Sequence, residues 1–199
     1  RSVSSPGLIP TFTTAVNTWQ CDENDHLNVQ FYTEFGHEAS THLLHQLGFG
    51  PRAQAAAGLS ISVQEDHIHY RREFRVVDVV EVRSAPVEVG ERTLALYHEV
   101  GNPADGTLAS TIVRRLECDR PWPEPFRKSA EAARVALPPS ARPRSVGQTA
   151  LPSIRLEECA RIGLIAVGRT LIKPDECDEH GRFLPRHQFG RYSDAAPWL

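Results

Sequence analysis

A chain of 199 residues with a formal net charge of −3 carries no basic surplus with which to hold nucleic acid. No apolar run approaches the roughly eighteen residues of a membrane span, and residues 1–7 lack the apolar stretch of a secretory leader. The four cysteines, Cys21, Cys118, Cys159 and Cys177, form no Cys-x-x-Cys pair, so the expectation is reduced thiols in a cytoplasmic protein without zinc.

Residues 8–18 are β-rich, with Phe12, Thr14 and Val16 alternating on one face. They lead into a polar cluster, residues 19–28, that holds Asp22, Asn24, His26 and Asn28. A helix follows directly. Its apolar positions, Tyr32, Phe35, Ala39, Leu43 and Leu47, recur every three or four residues and form one face. Asn28 suits the N-cap and Gly48 the residue just past the end. Residues 49–58 form a connector with a helical turn around the alanines.

Four strands are expected next, over 59–75, 76–89, 92–100 and 107–118. The first is long enough to require a bend or bulge midway. The turn at residues 101–106 ends in Asp105-Gly106, a strong hairpin signal. The expected order is one strand, a long helix and a four-stranded antiparallel meander, which together make an α+β two-layer domain over residues 1–119. Residues 120–156 are proline-rich and read as a linker over the domain surface, with a short helix at 124–135. From Ile162 to Ile172 the chain turns β-like again.

A repeat organises the remainder. Cys21-Asp-Glu recurs as Cys177-Asp-Glu, 156 residues later. At that offset Thr14 meets Thr170, Val16 meets Ile172 and Leu27 meets Phe183. Residues 157–199 therefore read as the opening strand and helix of a second, incomplete module. None of the four strands that such a helix needs follows here. They are expected either outside this sequence or from another chain.

Residue chemistry alone leaves alternatives open. Asp22 and Asn28 can serve simply as helix caps, His26 as a loop tie and Asn24 as a turn residue. His37, His42 and His45 share the helix, but no carboxylate or cysteine is fixed beside them, so no metal site is expected. His67 and His69 share a strand face by period 2. Arg71, Arg72 and Arg75 suit either phosphate oxygens or a solvated strand end.

The first 119 residues resemble the hotdog-fold thioesterases, specifically the 4-hydroxybenzoyl-CoA thioesterase-like branch. The resemblance is carried by Trp19, Asp22, Asn24, His26, Asn28, Tyr32, Phe35, Ala39 and Leu47-Gly48. The run from His67 to Phe74, then Asp78 and Leu96 to Glu99, continues it. It implies a hotdog fold and hydrolysis of an acyl-CoA thioester, with Asp22 as general base or nucleophile and His26 and Asn28 beside it. Asn24, Tyr32, Arg71 and Arg72 are then substrate-binding candidates, and Asp178 is the candidate in the second copy. CoA is part of the substrate and no separate cofactor is implied. Sites in this family form where two modules meet, which implies a homodimer or a tandem double hotdog. Three other readings remain: a non-catalytic acyl-CoA sensor, a hotdog dehydratase or hydratase acting on acyl thioesters, and a pure assembly module. The family's glycine before the histidine is Asp25 here, whereas the second copy keeps Gly181. In turn, the second copy has Arg182 and Leu184 where the first has His26 and Asn28.

Overall fold

In the computed structural model, which describes residues 5–143, 154–166, 170–178 and 181–195, the chain divides into two units, residues 1–142 and 143–199. Helix α1, Val29–Gln46, organises the first unit. It starts where the Asn28 side chain accepts a hydrogen bond from the Gln30 N–H, satisfying one of the donors left free at a helix start. It stops at Gly48, whose φ of +92° costs a glycine little. There the Phe49 N–H reaches Leu44 O and the Gly48 N–H reaches His45 O, the paired bonds of a Schellman end. All five expected apolar positions of α1 are buried, and Gly36, Ser40 and Leu44 are buried with them. The buried face is thus wider than a simple stripe, because α1 packs across several strands of a sheet.

That sheet has five antiparallel strands: β1 Ile9–Ala15, β2 Ile61–Tyr70, β3 Val79–Val89, β4 Thr93–Asn102 and β5 Thr107–Cys118. Their order is β1-β3-β4-β5-β2. The expected four-stranded meander is therefore corrected. Only β3, β4 and β5 run as a meander, while β2 crosses to the far edge and pairs with β5 from Ile61↔Cys118 to Tyr70↔Ser110. The reason is edge availability. Strand β1 already occupies the outer edge of β3, from Ile9↔Ser84 to Ala15↔Val79, so the free edge of β5 is where β2 can pair. The strand expected over 59–75 ends at Tyr70, with its irregularity between Val63 and Glu65, and residues 71–78 leave the sheet to make the crossing.

The middle strand is buried on both faces. Leu94, Leu96, His98 and Val100 of β4 are buried together with α1, which packs on the sheet. Ala95 and Tyr97 pack on the other side with Leu8, Val135, Leu137 and Ala141. Residues 119–142 supply much of that cover. They also carry helix α3, Glu124–Ala132, and bury Trp122 and Phe126 against Phe49 on the α1 side, where Phe49 precedes the short helix α2, Pro51–Ala57. The buried charged or titratable side chains include Arg114 and His98. Arg114, fully buried, makes two 2.7 Å hydrogen bonds to the Asp66 carboxylate, which pins β5 to β2. His98 lies between Ser40 and Ser84, and its pKa is lowered to about 3 by burial and then by Arg114. Ser40 gives its proton to Gly36 O, so Nε2–H of the neutral imidazole donates to Ser40 Oγ and Nδ1 accepts from Ser84.

The second unit holds helix α4, Leu156–Arg161, a 3₁₀ turn at Pro174–Glu176, and helix α5, Pro185–Ala195. The expected β-like run from Ile162 to Ile172 is corrected where it is described: residues 162–166 and 170–172 form no strand. Residues 167–169, like linker residues 144–153, lie outside the described residues. A strand needs a partner backbone, and the described residues of this unit offer none.

Candidate active site

Residues 22–26 close on themselves. The Asp22 N–H donates to His26 O at 2.8 Å, and the Asp25 N–H to Asp22 O at 3.1 Å. The Asp22 carboxylate then ties the interior of the turn: Oδ1 accepts from the Asn24 N–H at 2.9 Å and the His26 N–H at 3.2 Å. Such a side chain closing its own turn is a recurrent use of aspartate. Its second oxygen, Oδ2, has no hydrogen-bond partner among the described residues. Asp25 occupies the left-handed region, φ +60°, which explains why a glycine would also fit there. Asn24 and Asp25 are exposed, whereas Asp22 and His26 are half-buried.

Longer-range contacts hold the turn against the end of α1. The Asn28 N–H donates to Gln20 O, and the Leu27 N–H donates to Phe74 O. His26 forms an isolated antiparallel bridge with Arg75. Tyr32, one turn into α1, stacks on Phe74 and meets Tyr70 edge-on, with its hydroxyl donating to Arg72 O at 3.4 Å. Burial pushes its pKa up to about 12, so the hydroxyl is a neutral donor at physiological pH. Asp22, His26, Asn28 and Tyr32 are thus gathered at one end of the helix.

The arginines behave differently from one another. Arg72 is exposed, and its backbone carbonyl rather than its side chain meets Tyr32. The Arg71 guanidinium reaches Ser140 O, in the segment that also buries Ala141 beside Tyr97. Two charged groups complete the site, Arg75, which the sequence offered only to phosphate or solvent, and Glu73, which it did not single out: Arg75 NH2 lies 2.7 Å, and Glu73 Oε2 3.2 Å, from Nε2 of His26. No spacing rule reaches them, since 49 residues separate His26 from Arg75. Asp78 secures the same loop by accepting from the Arg75 N–H at 2.7 Å.

Asp178 sits in a matching turn. Its N–H donates to Arg182 O, the Gly181 N–H returns to Asp178 O, and Oδ1 accepts from the Arg182 N–H at 2.9 Å. Here Oδ2 is taken, by Arg182 Nε at 2.7 Å. Glu179 lies outside the described residues. Among the described residues, no three His, Cys, Asp or Glu side chains are grouped to hold a metal, and no helix is long and apolar enough to cross a membrane.

The family model of the thioesterase-like superfamily matches residues 16–118. Several solved structures are similar. A hypothetical protein from Staphylococcus aureus in complex with CoA shares 19% identity, with a TM-score of 0.60 over 73% of this chain and 96% of its own. A putative thioesterase from Pseudomonas putida KT2440 shares 22%, with a TM-score of 0.58 over 75% and 100%. A 1,4-dihydroxy-2-naphthoyl-CoA thioesterase from Synechocystis shares 12%, with a TM-score of 0.55 over 60% and 93%. At these identities the likeness speaks to the fold, which is the expected α+β hotdog. No curated protein matches the chain.

Proposed function

We propose, from the premise that this chain belongs to the thioesterase-like superfamily, that it hydrolyses an acyl-CoA thioester to the free acid and CoA, with Asp22 activating the attacking water. The observation that carries the assignment of Asp22 is its carboxylate. One oxygen is tied down by two backbone N–H groups while Oδ2 has no partner among the described residues, beside the start of a buried helix. A carboxylate oriented in this way can take the proton of a water that attacks the thioester carbonyl. It can also attack that carbon itself, forming a mixed anhydride that water then opens.

Negative charge builds on the carbonyl oxygen as the new C–O bond forms. The N-terminal turn of α1, with its positive dipole end, is suited to stabilise that charge. Collapse of the tetrahedral species breaks the C–S bond and releases the CoA thiolate, which is then protonated. On this reading Tyr32 and Asn24 are the residues that meet the acyl group, and the exposed Arg72 meets the CoA phosphates, for which guanidinium is a good match. Substrate of this class is also supported by the CoA held in the similar S. aureus protein. The reading carries an assembly with it, a homodimer or a pair of tandem modules that completes the site.

A panel of acyl-CoA esters assayed for free-thiol release tests the reading. An Asp22→Asn variant that turns over as fast as the parent would remove Asp22 from the mechanism. An intact protein that releases thiol from no ester would remove the hydrolase reading altogether.

A further inference from the structure

We infer that Glu73 and Arg75 are positioning residues that compete for Nε2 of His26, and that the winner sets how the 22–26 turn holds Asp22. The link to catalysis rests on the reading of Asp22 given above. The latch itself does not.

The inference starts from one nitrogen with two neighbours of opposite charge, Arg75 NH2 at 2.7 Å and Glu73 Oε2 at 3.2 Å. A guanidinium has donors only and a carboxylate acceptors only. At 2.7 Å from Arg75, Nε2 must therefore offer its lone pair, and the ring proton sits on Nδ1. Once Nε2 gains a proton the contact with Arg75 becomes repulsive, and the N–H can only point to Glu73. The ring thus has two states, each with its own partner.

The turn feels the change because His26 closes it from both sides. Its N–H donates to Asp22 Oδ1 and its carbonyl accepts from the Asp22 N–H. The preceding residue, Asp25, holds the left-handed conformation on which the closure depends. The repeat supplies the contrast. Where the first copy has His26, the second has Arg182, and that cation folds directly onto Oδ2 of its own aspartate. In the first copy the cation is on Arg75, which meets the imidazole of His26 rather than the aspartate. The other charged or titratable groups on the elements around the ring include Cys21, Asp22, Glu23 and Asp25 of its own segment, Arg71, Arg72 and Asp78 of the crossing loop, and Tyr32, Glu34 and His37 of α1.

The test uses the full chain, with Arg75→Gln and Glu73→Gln, read by ¹⁵N NMR of the imidazole and by the pH profile of thioester turnover. In the parent at neutral pH, His26 is expected as the Nδ1–H tautomer. Removing Arg75 should move the ring titration to higher pH and removing Glu73 to lower pH, because the first loses a like charge and the second an opposite one. The acid limb of kcat should follow in the same two directions. An Nε2–H tautomer in the neutral ring, or two variants that shift the same way or not at all, would overturn the latch. A split ring titration with an unmoved acid limb would overturn its role in positioning Asp22. A split ring titration in a protein that hydrolyses no thioester would support the latch and remove only the hydrolase reading.

Discussion

The turns at 22–26 and 178–182 have nearly the same backbone and very different surroundings. In both, a 3₁₀ turn comes first and an isolated bridge closes the loop, Cys21↔Leu27 in one and Cys177↔Phe183 in the other. The N–H before the 3₁₀ turn meets the side chain three residues on in each, Asn17 with Gln20 and Lys173 with Glu176. The helices begin at matching positions, Val29 and Pro185. Beyond the turn the two part. Leu8 and Val16 are 5% and 2% exposed beside the sheet, whereas their counterparts Leu164 and Ile172 are 58% and 55% exposed. Phe35 of α1 is core, while Arg191 at its counterpart lies over the Phe183 ring and pairs with Glu176. The local hydrogen-bond pattern is therefore written in the turn residues themselves, and burial of the helix that follows depends on a sheet. The same contrast bears on chemistry. Oδ2 of Asp178 is held by Arg182, and a carboxylate held by a guanidinium is a poor base, whereas Oδ2 of Asp22 has no such partner among the described residues.

Four measurements would break or sharpen this comparison. The largest effect is expected at the helix faces. Phe35→Ala should destabilise the first unit by about 3–5 kcal/mol in urea denaturation. Arg191→Ala, which removes a partly exposed ion pair, should cost under about 1 kcal/mol. Equal costs would show that the two helices are supported alike.

Next come the two aspartates. Asp22→Asn keeps an acceptor for the turn and should lower thioester turnover by roughly 10²–10⁴-fold, while Asp178→Asn should leave turnover unchanged. Loss of activity in the second variant would return Asp178 to the mechanism.

A third test uses pH. His98 is packed beneath α1 with its pKa depressed to about 3, so between 6.5 and 3 the unfolded chain binds a proton that the folded chain does not. Stability contributed by the neutral ring is full above pH 6.5 and is lost as pH falls toward 3, by an amount of order 2 kcal/mol over the upper half of that window. Chemical denaturation of the parent and of His98→Gln across this range should show a shallower acid slope in the variant.

The smallest effect is at the left-handed position. Asp25→Gly makes the first turn match the second. It trades relief of a strained φ against backbone entropy, and should change stability by less than about 1 kcal/mol in thermal unfolding. A larger change would mean that the Asp25 side chain does something that no contact of the turn explains.

The sequence by itself determined what depends on near neighbours. The periodicity of Tyr32, Phe35, Ala39, Leu43 and Leu47 specified the buried face of α1. Asn28 and Gly48 set its two ends, and the loop before Thr107 marked the β4–β5 hairpin. The matching Cys-Asp-Glu segments announced two like turns. These features rest on hydrogen bonds and side-chain contacts a few residues long, which any reading of the chain can reach. Tertiary structure decided the rest. Strand β2 went to the far edge because β1 had filled the near one, and Arg114 met Asp66 only through the resulting β2–β5 pairing. The crossing loop that this topology requires carries Glu73 and Arg75 back to His26, so the charges around the imidazole were set by which sheet edge was free.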